Sequence, residues 1–143
     1  MSVAEAFRQW ITSDQVWADH NTPINNYPML SSKRGAMIHH LEELCGGEPE
    51  RRSFLKYVFG VDSSADLTCR QQNALYLWLD PQKANDDPAD KRWIVTNPKA
   101  AATVAAVLDT VRRAAGQLDF SFAEQAQREA EERGQREYPQ RPA

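Results

Sequence analysis

The residues best suited to chemistry cluster near the middle of the chain: His39, His40, Glu43 and Cys45. On a helix His39 and Glu43 lie one turn apart and face away from Leu41, a spacing at which they can share a proton or a metal ion. The pattern is not His-Glu-x-x-His, no Cys-x-x-Cys is present, and no motif ties His20 or Cys69 to the group. The expectation is therefore a surface His-Glu pair beside a small buried thiol, with no metal dependence. No Gly-x-Ser-x-Gly elbow presents a nucleophile, and no glycine-rich loop cradles a phosphate. Asp80, Asp86, Asp87 and Asp90 lack the oxygen spacing and terminal Glu of an EF-hand. They read as a solvated linker. No catalytic residue and no cofactor is assigned, and the expected protein is not an enzyme.

Basic side chains offer a different chemistry. Lys33 and Arg34 follow Ser31-Ser32 at the start of a helix, where free N–H groups and the positive end of the dipole attract phosphate. Arg51, Arg52 and Lys56 occupy the early turns of the next helix, and Lys56 with Tyr57 falls on its outer side. Arg70 and Tyr76 avoid the Leu75-Trp78 stripe, while Arg112 and Arg113 emerge near the end of a long helix. Gathered on one face, these cations and rings would hold a single strand of nucleic acid by phosphate contact and base stacking. Dispersed, they merely solvate helices. The four tryptophans, Trp10, Trp17, Trp78 and Trp93, likewise read either as core or as an exposed binding set. Leu77 lies off the apolar stripe of its helix and points to a second packed layer or a protein interface.

Helices must position these groups, because apolar spacing is helical almost throughout. The first stretch carries Phe7, Trp10 and Ile11, and Ser13 or Asp14 can cap a second with Val16 and Trp17. After a loop over 20–28, a helix starts near Ser31 or Ser32, capped by a hydroxyl, and buries Met37, Ile38, Leu41, Leu44 and Cys45 before Gly46-Gly47. The next opens at Pro49, buries Phe54, Leu55, Val58 and Phe59, and closes at Gly60. Thr68 and Gln71 have capping-box spacing before Ala74, Leu75, Trp78 and Leu79. These two stripes and their short linker predict a helical hairpin over 48–80.

Trp93-Ile94-Val95 lacks an evident partner strand and reads as an extended lead-in. Asn97-Pro98 then starts a helix with Ala101, Val104, Val107, Leu108, Val111 and Ala115 on one face. Ser121 and Glu124 begin a further, thinly apolar helix through about Arg133, with Phe122 as a candidate interface residue and a disordered end from Gly134.

The predicted fold is all-α: a small helical bundle over 1–120 with a central hairpin, then a polar C-terminal helix and tail over 121–143. Composition agrees, since 41% hydrophobic and 26% charged residues over 143 positions suit one globular domain and exclude a wholly disordered chain. With 17 basic and 20 acidic residues, the formal net charge of −3 leaves any electrostatic function to the distribution of charge. The longest nearly apolar run, Ala100 to Leu108, is too short for a membrane span, and the N-terminus lacks the pattern of a secretory signal. A cytoplasmic protein with two reduced cysteines is expected.

Residues 50–79 carry a family resemblance. The order is Glu50-Arg51-Arg52-Ser53-Phe54-Leu55, Gly60-Val61, the Ser63-Ser64 turn, Asp66-Leu67-Thr68, and a second helix from Cys69 with small and leucine positions. It resembles a helical module of bacteriophage Mu-type GemA regulatory proteins that is also appended to some phage recombination proteins. That resemblance implies a phage-related protein working beside DNA replication, recombination or defence, and it carries no catalytic residue. Two functions follow as expectations: nucleic-acid-associated binding through the basic residues, or a protein-interaction module that engages a host enzyme or another copy of itself.

Overall fold

The structure, a computed structural model, describes residues 1–116. Helix α1 (Val3–Thr12) starts where Ser2 accepts a hydrogen bond from the Glu5 amide at 3.1 Å, and its Ala4, Phe7 and Ile11 fall on one buried stripe. The short α2 (Gln15–Asp19) contributes Val16 and Trp17, both buried.

Helix α3 (Ser31–Cys45) buries Met37, Leu41 and Cys45, while Ile38 and Leu44 pack half-buried at the edge. Its start differs from the hydroxyl cap expected of Ser31 or Ser32. Leu30 holds the cap position and supplies no side-chain acceptor, because both serines are already inside the first turn. The other end is set by Gly46, whose φ of 97° is open to glycine at little cost.

Helix α4 (Glu48–Phe59) has Pro49 in its first turn and stops at Gly60. A 3-10 turn (Ser64–Asp66) leads to α5 (Cys69–Leu79). The Thr68 hydroxyl accepts from the Gln71 amide and the Gln71 side chain accepts from the Thr68 amide, so the expected capping box forms in both directions. Residues 100–116 form α6, where Asn97 Oδ1 accepts the Lys99 amide at 2.9 Å. The buried stripe of α6 is Ala100, Val104, Val107 and Leu108, so Ala100 takes the place expected for Ala101, which is exposed.

The segment over 80–95 corrects a sequence expectation. Trp93–Val95 is a strand (β2) paired antiparallel to Pro81–Lys83 (β1), with Pro81 opposite Val95 and Lys83 opposite Trp93. The partner comes from within the aspartate-rich stretch read as a linker. Pro81-Gln82-Lys83 has no apolar alternation to announce it, and two short strands suffice here because Pro81 and Val95 lean on the helical core.

Helix α3 packs against α4 and α5, and α1 meets both of these as well. At the centre Phe7 lies 4.6 Å from Trp78, ring centroid to centroid, and Phe54 stacks on Trp78 at 6.3 Å. Trp17 and Trp78 are therefore core rather than an exposed binding set, and Trp10 is half-buried beside them. Full burial of a side chain such as Phe54 contributes about 1.5–3 kcal/mol.

Contacts divide the chain into one unit over Met1–Thr110 and a second over Val111–Ala143. Within the described residues the second unit is the last part of α6. The helix expected from Ser121, Phe122 within it and the boundary after residue 120 lie outside the described residues. No helix among the described residues is long and apolar enough to cross a membrane.

Candidate binding surface

Four of the basic residues singled out by sequence are already paired with carboxylates. Arg51 Nη1 donates to Glu42 Oε1 at 3.1 Å, and the arginine side chain is only 13% exposed. Arg52 pairs with Glu48 at 2.8 Å, Lys56 with Asp62 at 2.9 Å, and Arg70 with Asp14. Each phosphate contact at these positions would have to compete with a carboxylate already in place. Tyr57 is also withdrawn: the Arg8 guanidinium sits 4.6 Å above its ring, and its hydroxyl is buried without a hydrogen-bond partner among the described residues. These five residues do not form an open stacking and phosphate-binding face.

Lys33, Arg34 and Tyr76 are different. Lys33 and Arg34 are exposed in the first turn of α3 and make no ion pair with a carboxylate among the described residues. The Lys33 ammonium lies 5.8 Å from the centroid of the Tyr76 ring, a cation-π distance that biases where the charge rests. Tyr76 is itself half-buried, its hydroxyl reaches the Pro81 carbonyl at 3.4 Å, and burial pushes its pKa upward, with the Asp80 charge adding to the rise. It acts as a platform for Lys33 more than as a free stacking ring.

The exposed ring beside them is one that sequence reasoning passed over. Tyr27 is 80% exposed at the end of the loop that precedes α3. Asn73 Nδ2 donates to the backbone carbonyls of Asn25 at 3.0 Å and Tyr27 at 2.8 Å. Asn73 and Tyr76 are three residues apart on α5 and so share a face. One face of α5 thus holds the backbone of Tyr27 and the ammonium of Lys33 side by side. Leu30, 68% exposed, lies between them in sequence. The only sequence signal for this loop is its pair of prolines, Pro23 and Pro28, which favour extended backbone without revealing what it presents.

The remaining candidates fall elsewhere. Arg112 and Arg113 belong to the second unit and are exposed on α6. Leu77 is half-buried against the core and lines a cleft, so it is not part of an exposed patch. His39 Nε2 and Glu43 Oε1 are 2.8 Å apart on the exposed side of α3, with His40 Nδ1 3.6 Å from the other oxygen. Among the described residues no three His, Cys, Asp or Glu side chains converge as metal ligands would. Cys45 is buried, which pushes its thiol up to about 12 and leaves it without thiolate character near neutrality. In the acidic loop, hydrogen bonds from Arg92 hold the Asp90 carboxyl far below the usual range.

No family model, curated protein or solved structure matches the chain. The functional reading rests on the chemistry of its own surface.

Proposed function

We propose that the protein is a non-enzymatic, nucleic-acid-associated binding protein that holds a single strand along Tyr27, Lys33 and Arg34. The observation that carries this is the Lys33 ammonium held above Tyr76, next to Arg34, with no carboxylate to neutralise either cation among the described residues. The α3 dipole adds to their attraction for phosphate, and Tyr27 offers a face on which a base of any identity can stack. The resemblance over residues 50–79 supports a phage-related setting beside DNA replication or recombination.

Two phosphate contacts set the expected strength. A fluorescence-anisotropy titration of a labelled single-stranded oligonucleotide should give a slope of about −1.4 in log K against log salt, at about −0.7 per contact. Absence of salt-sensitive binding to any oligonucleotide at low salt would remove the proposal. A second reading, a protein-interaction module, is favoured by one observation: Ile24, Tyr27 and Leu30 all turn apolar surface outward on this loop. It predicts that Leu30→Ser abolishes self-association or partner binding while oligonucleotide affinity stays constant.

A further inference from the structure

We infer that a cleft between the C-terminus of α5 and the N-terminus of α6 binds a zwitterionic small molecule with an apolar body, of the class of an aromatic α-amino acid. This goes beyond the proposed strand-binding surface and shares no residue with it. The cleft is open to solvent and offers about 590 Å³, within the roughly 300–1,000 Å³ typical of small-molecule sites. Leu77, Trp78 and Trp10 supply its apolar wall, and Asp80 and Lys99 supply its charges.

Local bonding builds this arrangement. Asn97 Nδ2 donates to the Trp78 carbonyl at 2.9 Å, tying the start of α6 to the end of α5. Thr96 Oγ1 lies 2.9 Å from the Asp80 carbonyl and 2.8 Å from its Oδ2, and Gln82 Nε2 donates to Oδ1 at 2.7 Å. Asp80 is also the C-cap of α5 in left-handed backbone, with φ 46°, a conformation that costs a non-glycine residue energy and that these contacts hold in place.

Both signs of charge border the cleft. The Asp80 carboxylate lines the cleft at the negative end of the α5 dipole, and Lys99 lines it at the start of α6. Asp80 and Lys99 do not form an ion pair with each other or with any other described residue. Gln82 and Thr96 are neutral and use only part of the carboxylate's accepting capacity. An ammonium group can therefore bind at Asp80 while a carboxylate binds at Lys99. The position of Leu77, off the main stripe of α5, gives the body of such a ligand an apolar contact.

Titration calorimetry on the full chain tests this with three probes: L-phenylalanine, 3-phenylpropanoate, which lacks the ammonium, and 2-phenylethylamine, which lacks the carboxylate. L-phenylalanine should bind, and each analogue should bind at least about tenfold more weakly. Asp80→Asn, which keeps a residue type tolerant of left-handed backbone, and Lys99→Gln should each cost L-phenylalanine about tenfold or more. No binding of L-phenylalanine at millimolar concentration overturns the inference. So does equal binding of the three probes to the unaltered chain, a comparison that requires no variant to fold.

Discussion

Asn73 is the residue on which the candidate surface depends, although it would touch no ligand. Its amide satisfies two loop carbonyls at once and so fixes where Tyr27 is presented. Asn73→Ala should lower stability by about 1–3 kcal/mol in urea unfolding, the sum expected for two neutral hydrogen bonds. It should also weaken oligonucleotide binding, because Tyr27 would have to be ordered on contact. Unchanged affinity would mean that the loop does not contribute.

Cys45 gives a second prediction at the same scale. Its ionisation is raised from 9.0 to about 12 by burial, so the unfolded chain loses this proton at lower pH than the folded one. Stability from this group is fully present below pH about 9 and falls as pH rises toward 12. Denaturation midpoints measured across that window should decline less steeply in Cys45→Ala than in the parent chain.

At the scale of elements, the apolar stripes and the Thr68–Gln71 capping box were legible because they are local, whereas the hydroxyl cap expected of Ser31 or Ser32 did not form. Phe54, Leu55 and Val58, or Ala74, Leu75, Trp78 and Leu79, announce their buried faces by spacing alone. Thr68→Ala should lower stability by about 1 kcal/mol by opening the capping box, a loss measurable as a shifted urea midpoint with unchanged m. What could not be read was long-range or patternless. Arg70 finds Asp14 across 56 residues and Arg51 finds Glu42 across nine, and no periodicity connects either pair. Pro81–Lys83 becomes a strand only because β2 returns to meet it. For the same reason Tyr27 escaped notice: its display depends on an asparagine 46 residues away.

Across the whole molecule, the near-balance of charge takes on a specific form. The net charge of −3 coexists with a set of cations, Arg51, Arg52, Lys56 and Arg70, that each face a carboxylate, so formal charge overstates the attraction these four offer an anion. Lys33 and Arg34 differ from those four in having no carboxylate partner among the described residues. Their effect on binding should be disproportionate to their number.

A charge-matched comparison measures that disproportion directly. Single-stranded oligonucleotide binding is followed by anisotropy at low and high salt for the parent chain, Lys33→Gln/Arg34→Gln and Arg52→Gln/Lys56→Gln, each double variant losing two positive charges. Lys33→Gln/Arg34→Gln should lose at least about tenfold in low-salt affinity and nearly all salt dependence, while Arg52→Gln/Lys56→Gln stays within about twofold of the parent. Equal losses in the two variants, or a larger loss from Arg52→Gln/Lys56→Gln, would contradict the proposal.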